Sequence, residues 1–146
     1  SLVLSVDESG SREVSNLLPD NKYDAIMHLG LAEKADYPRI EMRAKDILDF
    51  RIPDNSGRQV SSTKISGEGD LYSTINPEDW DIVKMIDSPV ISHDAGEYLC
   101  NETLYRTLLS LSDNTPCFFL HLPQSQNDAR GLALQCLDRM VPAKLL

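Results

Sequence analysis

The stretch "SPVISHDAGEYLCNETLYRTLLSL", residues 88–111, sets the fold class, because it passes from a β-branched segment through a polar turn into an amphipathic helix. Residues 88–93 read as a short strand, and Leu104, Leu108 and Leu111 recur at helical spacing. Cys100 falls where the turn becomes the helix. Backbone N–H groups without helical partners and the positive end of the helix dipole gather at such a place, and both favour a thiolate over a thiol. A small buried hydrophobe is the commoner role of a lone cysteine. Other residues must choose between the two.

Working outward, the same alternation continues. "SLVLSV" (1–6) reads as a β-type segment and "SGSREVSNLL" (9–18) as a helix with its stripe on Val14, Leu17 and Leu18. "YDAIMHLG" (23–30) is expected to be a short buried strand stopped by Gly30, and "RIEMRAKDILDFRI" (39–52) one or two extended segments ended by the turn "PDNSG" (53–57). Residues 56–72 are rich in Ser and Gly without periodicity, as in an irregular loop or lid. "NPEDWDIVKMI" (76–86) suggests a helix with Pro77 at its start, an Asn76 cap and Trp80, Val83 and Met85 packed inward. "PCFFLHLP" (116–123) is a near-continuous apolar strand, and "DARGLALQCLDRMV" (128–141) an amphipathic helix. Strands alternating with helices imply an α/β fold of three layers, α/β/α, with a mostly parallel central sheet. In such sheets, sites gather at the carboxyl ends of the strands, where Gly30, the turn before Cys100 and His121 fall.

Composition narrows the function. The 146 residues, expected to form a single domain over 1–146, are 41% hydrophobic and 25% charged, enough apolar content for a core. A formal net charge of −9 argues against nucleic acid or an anionic membrane surface as partner. Three cysteines, 17 and 19 positions apart, match neither a zinc ribbon nor a disulfide framework, so reduced thiols and a cytoplasmic location are expected, with no metal and no cofactor. No charged-then-apolar leader and no apolar run of about 18 residues is present.

A thiolate needs a partner that holds the ion pair and protonates the leaving group, which a histidine does near neutral pH. The imidazole in turn wants an acceptor to fix its tautomer. His121 ends an apolar strand, and Glu41 lies between Ile40 and Met42, an odd place for a solvated charge. Taken singly, each also fits a structural role: a satisfied core histidine, a wet-face glutamate. His28 and His93 read as structural, Cys117 and Cys136 as buried core thiols.

Four strings carry a resemblance: "HLGLA" (28–32), Glu41 followed ten residues later by "RIPDN" (51–55), "DAGEYLCN" (94–101) and "FFLHLP" (118–123). In these and in their order the chain resembles the pyrrolidone-carboxylate peptidases, or pyroglutamyl peptidases, a family of cysteine peptidases with a Cys-His-Glu triad. The resemblance implies Cys100 as nucleophile, His121 as general base and acid, and Glu41 as the group orienting His121. It places Arg51 near the oxyanion, beside the Cys100 backbone N–H. The implied substrate is a peptide whose amino terminus is closed into a five-membered lactam, held by backbone groups at Leu31 and Ile52 and walled by Tyr98. The side chains of Leu31 and Ile52 also suit ordinary core packing. The alternatives are a non-catalytic relative serving as a binding or assembly module, and a thiol amidase for another blocked amide. Against the family pattern, Met42 stands for an arginine and Asp46 for an amide. The usual opening strand with a "GFxPF"-like loop has no counterpart, phenylalanine occurring only at 50, 118 and 119. A homo-oligomer, or a separate amino-terminal fragment, is the expected consequence.

Overall fold

The apolar run at 117–122 is buried along almost its whole length, as a strand with neighbours on both edges and both faces must be. The computed structural model describes residues 1–141. Residues 142–146, which the expected single domain includes, lie outside that range. In chain order the elements are α1 (Glu8–Leu17), β1 (Ile26–Leu31), β2 (Arg39–Glu41), β3 (Arg43–Ala44), β4 (Leu71–Tyr72), β5 (Val90–Ser92), α2 (Leu99–Ser110), β6 (Cys117–Leu122) and α3 (Ala129–Met140). They fall into two compact units.

One unit holds Tyr23–Met42, Ser73–His93 and the chain from Asn114 onward. Its sheet has the order β1-β6-β2-β5. β1 and β6 are parallel, as are β2 and β5, while β6 and β2 are antiparallel. The class is therefore α/β with a mixed, mostly parallel sheet. Ile40, Phe118 and Leu120 of the sheet pack against Leu132, Cys136 and Met140 of α3. Truncating a buried side chain of this kind costs roughly 2–5 kcal/mol, so this stripe holds α3 in place. The helix begins where Asp128 accepts the Gly131 N–H at 2.8 Å. Trp80 meets the Phe118 ring edge-on, with centroids 5.7 Å apart.

The other unit holds Ser1–Lys22, Arg43–Tyr72 and Asp94–Asp113. Here α1, capped by Asp7 accepting the Gly10 N–H at 3.0 Å, packs on α2. β3 and β4 form a short antiparallel ladder. The loop expected at 56–72 is irregular apart from Leu71–Tyr72, and the buried carboxylate of Asp46 organises part of it by accepting N–H groups from Ile65, Ser66 and Gly69 at 2.9, 2.9 and 3.0 Å. Burial works to raise the Asp46 pKa, but these donors outweigh it and the carboxyl lies below its ordinary value.

Three expectations are corrected. "SLVLSV" is not a strand: its apolar side chains meet no ladder partner, and Val3 is 99% exposed. β1 does not stop at Gly30 but runs to Leu31, because Gly30 stays in register with His121 of β6. Residues 76–86 do not form an α-helix but two 3₁₀ turns, Pro77–Asp79 and Ile82–Lys84. Trp80 between them is extended, which breaks the helical ladder, and Asn76 makes no side-chain cap. Met85 is buried as expected, whereas Val83 is 81% exposed.

Candidate active site

In the sheet unit the antiparallel pairing of β2 with β6 sets Glu41 opposite Phe119 and Arg39 opposite His121. Glu41 and His121 are thus diagonal neighbours on one face, within reach of each other. Their side chains meet at 2.7 Å between His121 Nδ1 and Glu41 Oε1, with both residues buried. An ionised carboxylate has only acceptors, so Nδ1–H donates and the tautomer is set with the lone pair on Nε2. The Phe119 ring lies 4.7 Å from the imidazole. Ser73 Oγ donates to the Glu41 carbonyl at 2.7 Å and holds the backbone that carries the carboxylate. Arg39 Nε lies 3.3 Å from Glu41 Oε1, an ion pair. Leu31 closes β1 and is 57% exposed.

In the other unit Cys100 occupies the first turn of α2, half-buried, with Tyr98 at the cap position and no side-chain cap bond. The turn feeding it uses Gly96 at φ +83°, a conformation open to glycine, with the Gly96 N–H given to Asp94 at 2.9 Å. Asn101, next to the thiol and fully buried, anchors the helix start: Nδ2 donates to the carbonyls of Lys45 and Ile47 at 2.9 and 3.2 Å, and Oδ1 accepts the Lys45 N–H at 2.8 Å. Arg51 and Ile52 are exposed, so Ile52, like Leu31, does not serve the core packing its side chain would suit. Tyr98 packs edge-on against Phe50 at 4.7 Å and donates its hydroxyl to the Pro53 carbonyl at 3.2 Å.

The structure therefore joins His121 to Glu41 within one unit, and gathers Cys100, Arg51, Ile52 and Tyr98 within the other. Arg39, Ser73 and Asn101 were missed by sequence reasoning; a small polar or charged residue inside an alternating segment carries no local mark of its partner. His28 is 5% exposed and stacked on Phe119 at 5.9 Å, and burial lowers its pKa to about 4. Among the described residues no group of three or more His, Cys, Asp or Glu could hold a metal ion, and no helix is long and apolar enough to cross a membrane.

The three thiols differ sharply in setting. Burial pushes Cys117 up to about 12 and Cys136 up to about 11, which keeps both protonated and inert. Iodoacetamide at pH 6 is therefore expected to alkylate Cys100 well ahead of the other two, as read by peptide mass mapping. An ordinary thiol, with pKa about 8.5, reacts little there. Equal labelling of all three would remove Cys100 as a nucleophile.

The family described as pyroglutamyl peptidase matches residues 5–134. The pyrrolidone-carboxylate peptidase of Thermococcus litoralis is 33% identical over 118 residues, covering 76% of this chain and 54% of that protein. That of Pyrococcus furiosus is 33% identical over 129 residues, covering 83% and 62%. The chain thus spans little more than half the length of these relatives. Among solved structures, the pyrrolidone carboxyl peptidase of Thermus thermophilus superposes with a TM-score of 0.73 at 32% identity, covering 98% of this chain and 74% of that one. The Thermococcus litoralis structure gives 0.73 at 29% identity, with 85% and 61% covered.

Proposed function

Because this chain belongs to the pyroglutamyl peptidase family, we propose that it is a cysteine peptidase that removes an amino-terminal pyroglutamyl residue from peptides through a thioester acyl-enzyme. The observation that supports this most is the buried His121–Glu41 hydrogen bond at 2.7 Å, which holds an imidazole ready to exchange protons through Nε2. In this reading His121 takes the proton of the Cys100 thiol, and the thiolate attacks the pyroglutamyl carbonyl. The oxyanion so formed is met by the Cys100 backbone N–H at the positive end of α2 and by the Arg51 guanidinium. Collapse of the tetrahedral intermediate breaks the C–N bond, and His121 returns its proton to the leaving amine. Water, deprotonated by the same imidazole, then attacks the thioester, releasing pyroglutamate and the thiol. Backbone groups at Leu31 and Ile52 hold the lactam, and Tyr98 walls it. The three thiols, none in a disulfide, support a reducing location such as the cytoplasm.

The test is fluorogenic. A pyroglutamyl-coumarin amide should be cleaved faster than the prolyl amide by roughly a hundredfold or more, because the prolyl ring lacks the lactam carbonyl and leaves a buried donor unpaired. Comparable turnover of the two would overturn the assignment.

A further inference from the structure

Arg58 holds together two stretches that sequence reasoning treated separately, the turn after Arg51 and α2, which carries Cys100 in its first turn. Its guanidinium Nη2 donates to Glu102 Oε2 at 2.5 Å and Nη1 to Glu102 Oε1 at 3.2 Å, while Nε donates to Asp54 Oδ2 at 3.2 Å. Glu102, two residues after Cys100 and fully buried, is also held by Arg106, whose Nε and Nη2 donate to Oε1 at 3.0 and 2.7 Å. Asp54 is buried as well, and its Oδ1 accepts the N–H groups of Ser56 and Arg58 and the Ser56 hydroxyl at 3.0, 2.9 and 2.9 Å. The Asp54 N–H returns to the Arg58 carbonyl at 2.8 Å, closing the turn on itself. The guanidinium also lies 5.0 Å over the Phe50 ring, immediately before Arg51. One planar fork therefore bridges a carboxylate in the turn, a carboxylate on the helix and the ring at the turn's entrance.

We infer that Arg58 is a positioning residue for the acyl-transfer step: by bridging Asp54 and Glu102 it fixes Arg51 relative to the helix start that carries Cys100. The inference rests on the hydrolase reading above. The Tyr98 hydroxyl on the Pro53 carbonyl is a second strut at the cap of the same helix. Two struts a turn apart stop the segment from pivoting, which a single contact would allow. Oxyanion stabilisation depends on donors being in place before charge develops, so a loosened turn loses rate without losing the residue that makes the contact.

Arg58→Lys keeps a positive charge beside the buried Glu102, so the fold survives, but a point charge cannot bridge both carboxylates as the fork does. It is expected to lower kcat on the pyroglutamyl-coumarin amide by about a hundredfold with KM near the wild-type value. Deuterium uptake at residues 51–58 should rise, while the rate of Cys100 alkylation stays unchanged because the helix start is intact. Combined with Arg51→Gln, the loss should be no greater than for Arg51→Gln alone, since Arg58 acts through Arg51. Losses that multiply, or an unchanged kcat with only a lower melting temperature, would overturn the inference and leave Arg58 as a fold-holding residue. A wild type that cleaves no pyroglutamyl amide would sink the hydrolase reading instead. Deuterium uptake then still decides the bridge, because unchanged uptake in Arg58→Lys overturns it without any substrate.

Discussion

Cys100→Ala is expected to lower hydrolysis of the pyroglutamyl-coumarin amide by roughly 10⁴- to 10⁶-fold, the scale on which removing a covalent nucleophile acts. The effect is this large because no other group can take over. Cys117 and Cys136 are buried thiols with pKa values pushed up to about 12 and about 11, so neither forms a thiolate near neutral pH. The substitution should leave the fold intact. Cys100 is half-buried in the first turn of α2, whose anchoring comes from Asn101, and alanine is the better helix former. The measurement pairs the fluorogenic rate with intact mass after acid quench, in which the wild type shows a pyroglutamyl adduct and the variant none. Activity within roughly tenfold of wild type would exclude covalent catalysis through this thiol.

Glu41→Gln should keep the fold and slow acylation by roughly ten- to ten-thousandfold. Glutamine has nearly the same shape, so the packing beside Phe119 and the Ser73 bond to the backbone at 41 persist. What changes is the charge opposite His121 Nδ1. A carboxylate has acceptors alone and sets the imidazole tautomer, whereas an amide can present its NH₂ group and turn the ring or fix the wrong tautomer. In the proposed mechanism, the imidazolium formed when Cys100 gives up its proton also loses its stabilising neighbour without that negative charge. Stopped-flow acylation with the coumarin amide, beside circular dichroism as a folding control, separates this from unfolding. An unchanged acylation rate would reduce the 2.7 Å contact to a packing feature.

Several parts of this structure were legible in short windows. "CFFLHL" has the unbroken apolar character of a strand buried on both faces, and it became β6. The leucines after Cys100 recur at helical spacing, and α2 spans Leu99–Ser110. Glu41 between two apolar residues was already out of place for a solvated charge, and it is fully buried. Each inference needs only periodicity, polarity or turn chemistry within about a dozen residues, because the forces that form a helix or strand act between near neighbours.

Failures of local reading share one cause. "SLVLSV" has strand composition, but a strand exists only against a partner, and none pairs with it among the described residues. "NPEDWDIVKMI" has a helix-start signal, but the extended backbone at Trp80 between its two turns interrupts the ladder that the signal promises. The functional contacts lie still further from sequence: His121 reaches Glu41 across 80 positions, and Arg58 reaches Glu102 across 44. Residue types and their order name the candidates, since a thiol, an imidazole and a carboxylate have few other shared uses. Which carboxylate meets the imidazole depended on the antiparallel register of β2 with β6, and which arginine bridges the turn depended on how residues 54–58 fold against α2. Register and loop docking are set by burial and hydrogen bonding summed over distant segments, and no local pattern contains that sum.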